Sequence, residues 1–267
     1  MLSKFQNHIT SRFPFLTEKK LFLAVSGGLD SMILLHLLKQ LQYEIAVLHC
    51  NFQLRGLESF GDQNFIQEYC VQNNIPVFIT QFDTEAFAND FKVSTQVAAR
   101  ELRYSWFYEQ LEILKADYIL TAHHADDNLE TFLINLSRGT GLEGLTGIPM
   151  QNEKVIRPLL SFSRQEIEDY AVANKIEWRE DSSNASDKYL RNKLRHDVIP
   201  ILKKLNPSFL DSFKNTSDYL CQSASMADDA SRIVYRKVVT EDDNQKKIAL
   251  KELLVLPNYK AYLHQWL

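Results

Sequence analysis

Apolar positions in the first half of the chain follow two rhythms. Leu21-Phe-Leu-Ala-Val25, Ile45-Ala-Val-Leu48, Val77-Phe-Ile-Thr80 and Tyr118-Ile-Leu-Thr121 are short runs, apolar at nearly every position and rich in β-branched or aromatic residues. Such runs predict strands buried on both faces. Between them, residues 31–41, 59–74 and 95–115 place apolar side chains three and four apart, the helical rhythm. Strands alternating with helices predict right-handed βαβ units and a doubly wound α/β sheet. In such sheets ligands bind beyond the carboxyl ends of the strands, near the topological switch point.

Glycine marks a second division. All eight glycines precede residue 148, whereas beyond about residue 205 the chain reads as helix with long polar stretches. A catalytic domain over 1–205 followed by a smaller helical domain over 206–267 is the expected organisation. With 45% hydrophobic and 24% charged residues the chain is globular, not disordered. No apolar run approaches the ~20 residues that cross a bilayer, and the opening Met1-Leu-Ser-Lys-Phe-Gln lacks the apolar core of a secretory signal. Cys50, Cys70 and Cys221 are widely spaced, without C-x-x-C, which argues against a disulfide framework or a zinc ribbon. A reducing cytoplasm and no membrane partner are expected. The net charge of −4 excludes a uniformly basic coat and leaves a local basic face open.

The first strand runs into Ser26-Gly27-Gly28-Leu29-Asp30-Ser31 and then an apolar helix. A helix start carries unpaired N–H groups and about half a positive charge. Glycines let the backbone approach an anion, and serines add hydroxyl donors. There is no G-x-x-x-x-G-K-[ST], hence no lysine to follow a transferred γ-phosphate. Asp30 stands in the loop instead, which makes sense beside a polyphosphate if Mg²⁺ bridges the two. Alone, a Ser-Gly-Gly turn with Ser and Asp as helix caps would be ordinary. The full hexapeptide between strand and helix resembles the signature of the PP-loop ATP pyrophosphatase superfamily, whose members cleave ATP between the α and β phosphates.

Four further stretches follow in order. They are His49-Cys-Asn51-Phe-Gln-Leu-Arg55-Gly56, Ala98-Ala-Arg100-Glu-Leu-Arg103-Tyr104, Thr121-Ala-His123-His124-Ala-Asp126-Asp127-Asn-Leu-Glu130-Thr131, and Asp181-Ser-Ser-Asn184 leading to Tyr189-Leu-Arg191-Asn192-Lys-Leu-Arg195. Together with the phosphate loop they resemble the tRNA(Ile)-lysidine synthetase family over residues 21 to about 200. The resemblance implies a mainly parallel five-stranded sheet and a ligase. That ligase uses ATP and Mg²⁺ to join L-lysine to C2 of the wobble cytidine of a CAU-anticodon tRNA(Ile), through an adenylated intermediate, releasing AMP and pyrophosphate. Adenylation would turn the C2 oxygen, a poor leaving group, into one that departs as AMP. A homodimer is left open.

Asp127 and Glu130 lie three apart at a helix start and share a face. As first-turn acids they complement the dipole; as a pair they would hold a cationic amine or accept its proton. The resemblance favours a lysine site, with Asp126 as a cap. It puts His123 near the ATP phosphates and names Asp30, Asp127, Glu130 and His123 as catalytic, with Asp30 on the metal. ATP would be held by Ser26, Gly27, Gly28, Leu29, Asp30, Ser31 and Arg103. Arg100, Asn51, Arg55, Arg191 and Arg195 would join Asp127 and Glu130 in substrate binding. Where the family often has a second histidine after the asparagine, this chain has Phe52, so no imidazole is expected there.

From Lys188 to Lys204 six basic side chains face the single acid Asp197, a footprint suited to RNA phosphates. Gly139-Thr-Gly141-Leu-Glu-Gly144 matches a dinucleotide fingerprint but lacks the strand–turn–helix setting, so it reads as a mobile loop near the substrate and not an NAD site. The chain stops at Tyr262-Leu-His-Gln-Trp-Leu267 within an amphipathic pattern, and tRNA-discriminating parts of a longer protein are expected to be missing. Two rivals stand beside this reading. A tRNA thiolation enzyme would need paired cysteines or an iron–sulfur cluster, and a non-catalytic nucleotide-binding module would not need the intact acidic and basic set.

Overall fold

A computed structural model describes residues 1–180, 188–242 and 245–266, with the side chains of residues 188 and 189 left aside. The four expected strands are β1 (Leu21–Ala24), β2 (Ile45–Asn51), β3 (Val77–Gln81) and β4 (Tyr118–Leu120). After α1 (Leu2–Arg12), the connecting helices are α2 (Leu29–Gln40), α3 (Leu57–Gln72), α4 (Thr84–Phe91) and α5 (Thr95–Leu114). α2 and α3 begin two residues earlier than their apolar rhythm suggests, because Gly28 and Gly56 are their N-caps. They end early because Gln42 and Asn74 turn the chain with positive φ. The short α4 breaks the expected β3–α5 loop and is capped by the Asp83 carboxylate on the Ala86 amide.

Beyond β4 come α6 (Ala125–Arg138), α7 (Leu142–Leu145), β5 (Gln151–Asn152), β6 (Val155–Ile156) and α8 (Arg164–Ala173). The sheet order is β3-β2-β1-β4-β6-β5. Its first five members are parallel, and β5 is an antiparallel edge strand paired with β6. The fifth parallel strand is therefore the two-residue β6, and β5 makes the sheet six-stranded. β1 and β4 are neighbours that lead to opposite sides, so the switch point lies between them.

β1 feeds both faces of the sheet, as alternation requires. Leu21 and Leu23 join a core with α1, α2 and α8, which includes Phe5, Ile33, Leu37, Phe162 and Ile167. Phe22 joins Leu48, Phe107, Leu111 and Ile119 under α5. Helices on both faces leave the carboxyl edge of the strands as the open side.

The remaining elements are α9 (Lys188–Lys193), a π turn over Leu194–Val198, α10 (Ile199–Leu205), α11 (Phe209–Val238), β7 (Val239–Asp242), β8 (Gln245–Ile248), α12 (Leu250–Leu254) and α13 (Tyr259–Trp266). The stretch expected to be all helix thus carries a hairpin, begun where Val238-Val239-Thr240 places three β-branched residues in a row. The amino-terminal half of α11 docks on α6, with Phe213 and Phe132 rings 5.2 Å apart and Leu129 and Ile199 buried beside them.

Candidate active site at the switch point

The phosphate loop is built by its own side chains. Gly27 adopts φ +89°, a conformation that costs any other residue about 1–3 kcal/mol. Ser31 Oγ donates to the Gly28 carbonyl at 2.9 Å and accepts the Ser26 amide at 3.3 Å, which holds the turn closed. The Arg179 amide donates to the Gly27 carbonyl from the segment following α8. α5, α6 and α8 all begin with a side chain capping their first amides; α2 does not. Its amino end opens into the cavity with first-turn amides that no side chain among the described residues caps, the arrangement an anion completes. Leu29 contributes backbone only, since its side chain lies in the core.

That cavity, about 350 Å³, occupies the carboxyl ends of β1 and β4. It is lined by Ser26, Gly28, Asp30 and Ser31, by Arg103 and Tyr104 of α5, and by His123, Asp127 and Arg191. The loop, the α5 arginine and the acidic motif, far apart in sequence between Ser26 and Asp127, therefore meet at one cavity. Arg103 stacks over the Phe52 ring at 5.1 Å. Arg100 stacks on Tyr104 at 4.8 Å and does not line the cavity.

Around α6 the acids divide their work. His124 is the N-cap, and Asp127 completes a capping box by accepting the His124 amide at 3.0 Å. Asp126, expected as the cap, takes no part in this box. Asp126 instead accepts the Arg164 amide at 2.7 Å and pairs with Lys203 at 2.6 Å, and these donors hold its carboxyl below the usual range against burial. Glu130 is 1% exposed and is met by Arg195 with two bonds, at 2.7 and 3.0 Å. Arg195 also lies 3.8 Å from Asp127, and Arg191 3.9 Å from Glu130. Arg195 and Arg191, expected on RNA phosphates, sit on the site's own carboxylates here.

His123 bonds Thr121 Oγ1 at 3.0 Å through Nδ1. Burial drives its pKa down to about 4; Asp127 opposes the shift, and Arg157, Arg103 and Arg191 add to it. It is a neutral imidazole at pH 7. Asp30 is paired with Arg164 at the start of α8. Asn51 is buried, its amide bonded to Gln63 and its carbonyl oxygen to the Gln53 amide. Arg55 pairs with Asp62, which also holds Arg179. The 139–144 glycine segment does not line the cavity, and Asp181-Ser-Ser-Asn184 lies outside the described residues.

Sequence reasoning missed Arg164, Asp62, Arg179 and Arg157. Arg164 carried one signal, the Ser163-x-x-Glu166 capping box that fixes it at a helix start. Arg157, buried and bonded to the Pro149 carbonyl at 2.7 Å, carried none.

Comparison with known proteins decides the family. The PP-loop domain family matches residues 1–202. A tRNA(Ile)-lysidine synthase of Petrotoga mobilis is 40% identical over 212 residues, 75% of this chain and 68% of that protein. The chain belongs to the tRNA(Ile)-lysidine synthase family of PP-loop proteins. A lysidine synthase of Porphyromonas gingivalis (strain W83) is 44% identical over 212 residues, 76% of this chain and 47% of its own length. The chain spans about half the length of the curated lysidine synthases it matches there and elsewhere. Among solved structures, the U34-tRNA thiolase NcsA of Methanococcus maripaludis, with its [4Fe-4S] cluster, superposes with a TM-score of 0.69 over 83% of this chain and 78% of its own. At 17% identity that likeness shows the fold that lysidine synthases share with it, and nothing of the chemistry.

Proposed function

We propose that this chain carries the adenylating and lysine-transferring centre for the wobble cytidine of a CAU-anticodon tRNA(Ile), acting in the cytoplasm. The observation that carries the reading is the uncapped start of α2 opening beside Asp30 into a cavity whose other side bears Asp127, with Glu130 and Arg195 behind it. The ATP phosphates rest on the loop amides and the Ser26 and Ser31 hydroxyls, and Arg103 faces them across the cavity. The cytosine C2 oxygen attacks the α-phosphorus, the bond to the β-phosphate oxygen breaks, and pyrophosphate leaves. The ε-amine of lysine then attacks C2, and AMP departs with the former C2 oxygen. Asp127 and Glu130 hold the lysine ammonium before attack and provide carboxylates that can receive its protons. Neutral His123 offers a hydrogen bond to a phosphate without adding charge.

The donors also fit Mg²⁺. Asp30 and Asp127 both line the cavity, and Mg²⁺ is commonly held by one or two carboxylates with phosphate oxygens and water. Among the described residues no three His, Cys, Asp or Glu side chains converge as a cage. Asp30 and Asp127 would hold the ion, with phosphate oxygens and water completing its shell. Bound there, Mg²⁺ supplies neutralisation of charge on the departing pyrophosphate. Arg164 also pairs with Asp30.

The chain incubated with ATP, Mg²⁺, labelled lysine and the CAU tRNA(Ile) transcript should move label into RNA, with one AMP and one pyrophosphate per lysine. ADP and orthophosphate as products would overturn the reading.

A further inference from the structure

A second cavity, about 240 Å³, lies against the first, and Ser26, Cys50, Phe52 and Arg103 line both. His49 of β2 lines only the second and is 4% exposed. Its Nδ1 lies 2.9 Å from the Val25 carbonyl oxygen. A carbonyl can only accept, so Nδ1 carries the hydrogen and Nε2 bears a lone pair. Nε2 is buried and has no hydrogen-bond partner among the described residues. Burial also holds the imidazole below its ordinary pKa, so the lone pair is present at neutral pH. An acceptor withdrawn from water without a donor costs folding free energy, and a ligand donor would recover it.

The surroundings indicate what brings that donor. Arg55 and Arg103 line the cavity, and Asp62, the one carboxylate among the described residues that line it, is held by Arg55 and Arg179. A cationic amine is disfavoured there, whereas a nucleotide with its anionic phosphate is suited. The Arg103 guanidinium lying over Phe52 adds the kind of flat face on which an unpaired base stacks.

We propose that this cavity receives the pyrimidine to be modified and that His49 Nε2 accepts a hydrogen bond from its 4-amino group. The inference rests on the function proposed above and adds how the base is chosen. Cytosine presents a donor at N4, whereas uracil presents the O4 acceptor and would set lone pair against lone pair. Anchoring N4 on His49 leaves O2, at the other end of the same edge, to meet the nucleotide across the shared wall.

The test measures binding of two CAU anticodon stem–loops in the presence of a non-hydrolysable ATP analogue. One has cytidine at the wobble position; the other has a pyrimidin-2-one nucleoside, which lacks only the 4-amino group. The cytidine hairpin should bind roughly tenfold more tightly. His49→Asn keeps a donor for the Val25 carbonyl and removes the Nε2 acceptor. It should bring the two hairpins within about twofold of each other while leaving ATP affinity unchanged. Equal binding of the two hairpins by the unaltered chain overturns the assignment, and that arm needs no variant to fold. If the chain transfers AMP to the cytidine hairpin yet shows equal binding, only the role of His49 falls. If it transfers AMP to no RNA, the parent reading falls with it.

Discussion

Glu130 and Arg195 stand 65 residues apart and meet through two hydrogen bonds at a carboxylate that is almost wholly buried. A buried carboxylate needs such a partner, because leaving it unpaired costs several kcal/mol. Arg195, itself about half exposed, supplies that partner from the solvent side. His123 shows the opposite solution, staying uncharged. Its folded pKa is about 4 against an ordinary 6.5. Between those values the unfolded chain takes up a proton that the folded chain refuses. Stability is therefore complete above pH 6.5 and falls as pH drops toward 4, by up to about 1.4 kcal/mol per pH unit for this group. His8, His36 and His49 are shifted the same way, each first by burial. Urea midpoints measured from about pH 7 down to pH 5 should fall, and His123→Gln should flatten the curve; an unchanged slope would show that another group carries it.

At the level of the strand–loop–helix unit, two adjacent glycines have separable duties. Gly27 needs its positive φ, so Gly27→Ala should cost about 1–3 kcal/mol of stability and weaken ATP binding as well. Gly28 has ordinary φ, and a methyl there meets no protein atom closer than 3.5 Å. Gly28→Ala should leave the urea midpoint nearly unchanged while ATP affinity, read by calorimetry, falls at least about tenfold, since the group displaced is ligand. This unit was legible in the sequence because everything that defines it is local: a buried strand, a glycine turn and an apolar helix within a dozen residues. β5 and β6 were not, because two residues carry no periodicity. Asp126 and Asp127 are adjacent acids, and only the path of the chain after β4 decides which one closes the capping box with His124. The bonds from Arg164 to Asp30 and from Arg179 to Asp62 span 134 and 117 residues. No spacing rule reaches so far. The basic run after residue 188 was visible as charge, but its partners, Glu130 and Asp126, became visible only once α6 and α10 were side by side.

Across the whole molecule, the cut expected after residue 205 would divide a packed cluster. Leu129 and Phe132 of α6 are covered by Phe213 of α11. A chain ending at residue 205 exposes both, and at about 1.5–3 kcal/mol for each it should lose roughly 3–6 kcal/mol against the full chain. Chemical denaturation of the two lengths measures the difference, and equal midpoints would mean that the catalytic part needs nothing from α11. No helix among the described residues is long and apolar enough to cross a membrane. α11 bears Cys221, exposed, four residues beyond the buried Ser217 and with its sulfur 3.9 Å from the Thr146 carbonyl. Burial pushes the Cys50 thiol up to about 12 and that of Cys70 up to about 11, which leaves both protonated and slow toward electrophiles. The Cys221 thiol is raised too, first by burial and then by Asp218, but it alone of the three is exposed, which makes it the handle for a fluorophore–maleimide, on the long helix beside α7. Its emission would show whether that helix responds when RNA is added, without any engineered cysteine.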